Sequence, residues 1–145
     1  MVSSIPRGQK VALDTMIFIY HLEDYPRYSD ITENLFYEIE SGRYSAVTSY
    51  ITLLELLVKP KRERRFRVVS DYKDLLLTFP NLEFISLDLQ VADMASSIRA
   101  KYSLNTPDSI QIATAITGKA SVFITNDEDM RKVKEISVFM LDDWK

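Results

Sequence analysis

Lys10-Val11-Ala12-Leu13-Asp14-Thr15 joins a short apolar run to a carboxylate and a hydroxyl. The run has the pattern of a buried strand, and Thr15 then opens a helix through about His21. The alternation continues along the chain. A helix is expected from Tyr28 to Ser41, where Ile31, Leu35, Phe36 and Ile39 fall at helical spacing before Gly42. Ser45 to Thr48 reads as a strand, and Ile51 to Val58 as a helix halted by Pro60. Arg62 to Phe79 reads as one long helix closed by Pro80, and Leu82 to Leu87 as a third strand. Further helices are expected over Leu89–Tyr102, from Thr106-Pro107-Asp108 to Thr117, and briefly from Glu128 to Val133. Val122–Thr125 and Ser137–Leu141 supply the last two strands. Short β-branched strands alternating with helices predict an α/β fold with a parallel sheet covered on both faces. Right-handed crossovers bring every strand's carboxyl end to one edge, and sheets of this kind bind ligands in a crevice outside those ends.

The bulk properties narrow the class. At 145 residues, without repeat or linker, residues 1–145 read as one domain. The absence of cysteine excludes disulfides, thiolate metal sites and cysteine nucleophiles. Three glycines leave no phosphate-cradling loop. The stretch Met1–Gly8 lacks the apolar core of a secretory signal, and no apolar run approaches the ~20 residues of a membrane span. No membrane association is expected, and the cytoplasm is the expected location. A net charge of −3 conceals an uneven distribution, because Lys59, Lys61, Arg62, Arg64, Arg65 and Arg67 crowd one segment.

Four acids merit a functional reading. Asp14 follows the first strand and Asp127 closely follows the fourth, so both should emerge on one edge. Each alone is explained by helix capping; two at equivalent strand ends weigh evenly between capping and function. Glu55 lies in Ile51-Thr52-Leu53-Leu54-Glu55-Leu56-Leu57-Val58, a segment apolar nearly all round and therefore expected to be buried. An ionised carboxylate there is costly unless paired, the bland alternative being an exposed face or a bridge to Lys59. Asp108 falls in the first turn of a helix capped by Thr106 and begun by Pro107. Converging carboxylates repel by on the order of 4 kcal/mol per close pair at an effective dielectric of about 20. Oxygen ligands with hydrated positions suit Mg²⁺ or Mn²⁺, and such ions serve phosphodiester hydrolysis.

Together Leu13-Asp14-Thr15, the apolar-flanked Glu55, Thr106-Pro107-Asp108-Ser109-Ile110-Gln111-Ile112-Ala113-Thr114-Ala115 and Ile124-Thr125-Asn126-Asp127 resemble the PIN domain, most nearly the VapC-type toxins of prokaryotic toxin–antitoxin pairs. The resemblance spans nearly the whole chain. It implies a PIN-like three-layer sandwich with a five-stranded parallel sheet between helices. It further implies Mg²⁺- or Mn²⁺-dependent endonucleolytic cleavage of RNA by the quartet Asp14, Glu55, Asp108 and Asp127, a homodimer, and an antitoxin that blocks the site. Thr15 and Thr125 match hydroxyl positions beside the acids, where they would orient ligands or bind phosphate; capping and strand propensity explain them equally well. Asn126 is placed to bond a neighbouring group, although a turn role is the simpler reading. Two features depart from the family: about a dozen residues precede Asp14, and the basic run is dense. Lys59, Lys61, Arg62, Arg64 and Arg65 read either as an RNA-backbone rim or as a solvated helix face.

The rival function is a catalytically silent PIN-like module that binds RNA or protein. His21, the lone histidine, cannot anchor a histidine metal site and is expected at the surface. Tyr20, Tyr25, Tyr28 and Phe36 are expected to be core. Glu128 and Asp129 are expected to serve the first turn of the following helix.

Overall fold

The computed structural model describes residues 5–144. The order is β1 (Lys10–Leu13), α1 (Thr15–Leu22), α2 (Ser29–Glu40), β2 (Ser45–Ser49), α3 (Tyr50–Arg62), α4 (Phe66–Leu77), β3 (Leu82–Ile85), α5 (Leu89–Tyr102), α6 (Thr106–Thr117), β4 (Val122–Thr125) and β5 (Ser137–Met140). The five strands form a sheet in the order β3-β2-β1-β4-β5, and every pairing is parallel. Strand alternation divides the core between the two faces. Val11 and Leu13 of β1, with Val122 and Ile124 of β4, meet Ile17 and Phe18 of α1 and Leu35 and Ile39 of α2. Ala12 and Phe123 point the other way, onto Ile98 of α5 and Ile112 and Ala115 of α6. The result is the three-layer α/β sandwich expected from the sequence. Full burial of each large side chain in these layers contributes about 1.5–3 kcal/mol.

The segment 50–79 departs from expectation. Pro60 lies inside α3, which runs on to Arg62. Only two residues follow the proline, so the single backbone bond it removes falls near the helix end, where the loss is small. The break comes at residues 63–65 instead. Arg64 takes a left-handed φ of 58°, its N–H donates to Lys61 O, and that of Arg65 donates to Pro60 O. This is a Schellman closure in which arginine stands where glycine usually does. The basic run thus occupies the end of α3 and the α3–α4 turn rather than the start of one long helix. Glu128–Lys132 is a 3-10 turn, not an α-helix.

Residues 1–4 of the N-terminal extension lie outside the described residues. Ile5 is buried in the core, and its carbonyl accepts the Tyr44 hydroxyl at 2.6 Å. The Gly8 N–H donates to Arg43 O at 2.8 Å. From Ile5 onward the extension is therefore clasped to this chain's own core. Among the described residues no helix is long and apolar enough to cross a membrane.

Gly118 ends α6 where the helix meets the sheet. A Cβ there would lie 2.7 Å from Ile85 Cδ1 and 2.9 Å from Thr114 O. Gly118→Ala should therefore destabilise the fold by about 1–3 kcal/mol through overpacking. Urea denaturation checks this; an unchanged midpoint would contradict the close approach.

Candidate active site

With β1 central, the chain proceeds to β2 and β3 on one side and to β4 and β5 on the other. The strand order reverses at β1 and β4, the place where open α/β sheets bind ligands. Asp14 follows β1 directly, and its N–H donates to Ile124 O of β4 at 3.1 Å. Asp127 stands two residues beyond β4. Glu55 rides on α3, which leaves β2, and Asp108 sits in the first turn of α6.

Asp14 is the buried member, 6 % exposed. One oxygen accepts the Thr15 N–H at 2.9 Å and the other the Thr125 hydroxyl at 2.7 Å. The Thr125 Oγ1 in turn accepts the Asp127 N–H at 3.0 Å, so one hydroxyl ties the acids of neighbouring strands together. Burial, opposed by these two hydrogen bonds and reinforced by the charges of Asp108 and Asp127, pushes the Asp14 carboxyl up to about 6. Asp108 is half-buried and also raised, by burial first and then by the charges of Asp127 and Glu55. Asp14 therefore lies in the fields of Asp108 and Asp127, and Asp108 in those of Asp127 and Glu55.

Glu55 corrects the sequence-based expectation. It is exposed, as are Leu54 and Val58 beside it, because α3 covers the sheet edge with one side only. Its carboxylate nevertheless turns inward to accept the Thr15 hydroxyl at 2.6 Å. It does not bridge to Lys59, which pairs with Glu23 at 3.2 Å. At α6 the cap is Asn105 rather than Thr106, its side chain accepting the Asp108 N–H at 2.8 Å.

Thr15 and Thr125 thus bond directly to the acids, which capping and strand propensity do not explain. Asn126 faces away, its Oδ1 accepting the Asp142 N–H at 3.0 Å. Glu128 pairs with Arg131 at 2.6 Å, and the Asp129 N–H donates to Asp127 Oδ1 at 3.0 Å. His21 is half-buried and tilted against Phe36, ring centres 4.6 Å apart, rather than lying on the surface. Phe36 is core as expected, Tyr20 and Tyr28 are half-buried, and Tyr25 is exposed. Sequence reasoning missed Thr48, Thr52 and Gln111, all buried, and Met16, whose sulfur accepts the Asn126 N–H at 3.1 Å. The available signal was a polar Gln111 between Ile110 and Ile112.

No ion pair among the described residues uses any of the four acids. Nor do three His, Asp or Glu side chains among them close into a ready cage for a metal. The donor set nevertheless fits a hard divalent cation. It offers oxygen only, it is partly dry, and it lacks a cationic side chain to relieve the mutual repulsion. Mg²⁺ keeps several waters and needs only one or two direct carboxylates, so no closed cage is required.

Fold and site together define an α/β protein with an acidic crevice where its strand order reverses. Its family follows from comparison: the PIN domain model matches residues 11–136, and the chain belongs to the PIN domain family. Solved structures share the fold. VapBC2 from Rickettsia felis bound to a promoter DNA fragment superposes with a TM-score of 0.74 at 18 % identity, covering 94 % of this chain and 99 % of that one. DNA-bound VapBC from Salmonella typhimurium gives 0.69 at 23 % identity, covering 92 % and 98 %. A toxin–antitoxin complex from Klebsiella pneumoniae gives 0.60 at 22 %, covering 90 % and 97 %. No curated protein sequence matches the chain.

The raised Asp14 carboxyl carries a stability consequence. Its folded value of about 6 lies above the ordinary 3.8, so between those values the folded state holds more proton than the unfolded state. Stability should fall as pH rises from about 4 to about 6, by roughly 3 kcal/mol in all. In EDTA, Asp14→Asn should match the wild type near pH 4 and exceed it at pH 7. Thermal melts across this range measure the difference; a variant less stable than wild type at pH 7 would refute the assignment.

Proposed function

We propose that the chain is a Mg²⁺- or Mn²⁺-dependent endoribonuclease, acting as the toxin of a VapBC-type toxin–antitoxin pair. The observation that carries this reading is the buried Asp14 carboxyl. Its neighbours Asp108 and Asp127 add like charge, and a hydroxyl and a backbone amide rather than cations hold it. Asp14, Asp127, Asp108 and Glu55 would hold the ion directly or through its waters. When bound, the ion would activate water and stabilise charge on the phosphate during in-line displacement. The protein's own part is orientation. Thr125 and the Thr15 amide each occupy one lone pair of Asp14, leaving the remaining pairs for a ligand. The Thr15 hydroxyl holds Glu55 toward Asp14's strand end.

RNA would approach along the basic segment. Lys59, Arg65 and Arg67 are paired with Glu23, Glu63 and Asp71, at 3.2, 3.9 and 3.6 Å. Lys61, Arg62 and Arg64 carry no ion pair among the described residues and are exposed, so they are the better phosphate contacts. The antitoxin reading is supported by a cleft of about 770 Å³ beside Glu55. Its floor is apolar, with Ile19, Leu22 and Leu56, and its acids Glu23, Glu55, Glu63 and Asp71 outnumber Lys59 and Arg65. A basic amphipathic segment suits it, able to place a cationic side chain among the carboxylates in competition with metal. The structural neighbours are toxin–antitoxin complexes, which agrees. Exposed Tyr50, Leu54 and Val58 on one side of α3 support the homodimer.

Purified chain, freed of any bound inhibitor, should cleave single-stranded RNA with Mn²⁺ and not with EDTA. Asp14→Asn should lower the rate at least a hundredfold, about 2.7 kcal/mol in the barrier. Equal cleavage by wild type and variant, or none by either, would leave only the silent binding module. In a separate assay, replacing Lys61, Arg62 and Arg64 together by alanine should raise KM with little change in kcat. The slope of log affinity against log salt should also flatten, by about 0.7 per residue. An unaltered salt slope would remove the rim from the binding surface. Absence of growth inhibition on expression would argue against the toxin role while sparing the hydrolytic one.

A further inference from the structure

We propose that Gln111 is a positioning residue that aims Glu55 at the cation site through a chain of threonine hydroxyls. The proposal rests on the metal-dependent reading above and extends it to a residue outside the acidic quartet.

Gln111 is 3 % exposed, on a stretch of α6 where Ile110, Ile112 and Ala113 are also buried. Its amide nitrogen donates to Thr15 Oγ1 at 3.0 Å and to Thr52 Oγ1 at 2.8 Å. Thr48 donates to the Leu13 carbonyl at 2.9 Å. Thr52 and Thr48 are 2.8 Å apart, and Thr15 and Thr52 3.1 Å apart. The protons can be assigned one by one. A carbonyl only accepts, so the Thr48 hydroxyl proton lies on Leu13 O. A carboxylate only accepts, so the Thr15 proton lies on Glu55 Oε1. Thr52 has one proton and gives it to Thr48 across the shorter gap. Both Thr15 Oγ1 and Thr52 Oγ1 then need a donor from α6, and the two N–H groups of Gln111 are those donors.

The direction matters. Because Gln111 donates to Thr15, the Thr15 proton is free to point only outward, to Glu55. An acceptor at position 111 would draw that proton inward and release Glu55 into solvent, where its α3 position already leaves it exposed. Groups behind a metal ligand typically govern affinity by 10–100-fold.

The test is Mn²⁺ binding alone, by calorimetry, without RNA. Gln111→Leu keeps approximate volume and removes both donors; its Mn²⁺ affinity should fall tenfold or more. Gln111→Glu, which substitutes an acceptor, should fall at least as far. In cleavage assays excess Mn²⁺ should restore most of kcat to Gln111→Leu with the KM for RNA unchanged, a split that general loosening of the fold would not produce. Thr114→Val is the control, since Thr114 lies on the same buried helix and its hydroxyl has no partner; its Mn²⁺ affinity should equal the wild type's. If Gln111→Leu does not fold, Gln111→Met removes both donors on an unbranched side chain of similar length and should weaken Mn²⁺ likewise. Mn²⁺ affinity within twofold of wild type in folded Gln111→Leu or Gln111→Met overturns this inference and leaves the nuclease reading standing. A wild-type chain that binds no Mn²⁺ overturns both.

Discussion

The carboxyl of Asp14 is held where water scarcely reaches it, at the end of the central strand and beside two further acids. Nearly every unusual feature around it follows from that. Burial disfavours the ionised form, the Asp108 and Asp127 charges disfavour it further, and only hydrogen bonds to the carboxylate oppose them. The surrounding chain supplies those bonds from a backbone amide and a threonine, both neutral. A lysine or arginine in the same place would stabilise the fold more simply. It would also occupy the space and neutralise the charge on which the proposed cation binding would depend. Destabilisation left standing at a site is the usual mark of function.

Threonine suits this task better than serine or a charged group. Its methyl packs against the apolar layers, and its hydroxyl both accepts and donates. Thr125 receives the Asp127 N–H while giving its proton to Asp14. Thr15 does the same between Gln111 and Glu55. A polar chain of this kind is tolerable in a core only when every member is satisfied, and here each proton has a distinct acceptor. Three of the four acids, Asp14, Glu55 and Asp127, are thereby linked to the packing of α6, α3 and the two central strands.

Much of the fold is legible from the residues because parallel strands buried on both faces must be apolar and short. Val11-Ala12-Leu13 and Val122-Phe123-Ile124 announce themselves. What was not legible has particular causes. The α3–α4 break uses Arg64 in a left-handed conformation, where no glycine marks the turn. Pro60 reads as a stop signal in the sequence, but it stands only two residues from the end of α3, where its cost is small. For the site, Asp14, Asp108 and Asp127 are readable because each sits at an element boundary fixed by local sequence. The leucines around Glu55 suggest burial, yet Leu54 is itself exposed. The hydroxyl chain was invisible, since the contacts of Thr48, Thr52 and Gln111 depend on how three elements pack.

The exposure of Glu55 bears on how the acids divide their work. A carboxylate in solvent costs little to ionise, whereas Asp14 in its dry setting costs much. In the proposed reading, Glu55 would hold a cation at an outer stage and Asp14 at an inner one, where the field is strongest. The hydroxyl of Thr15 lies between these stages, bonded to Glu55 by its side chain and to Asp14 by its amide. One residue therefore couples the outer acid to the inner one, so that a change in the setting of Glu55 would be felt at the strand end that holds Asp14.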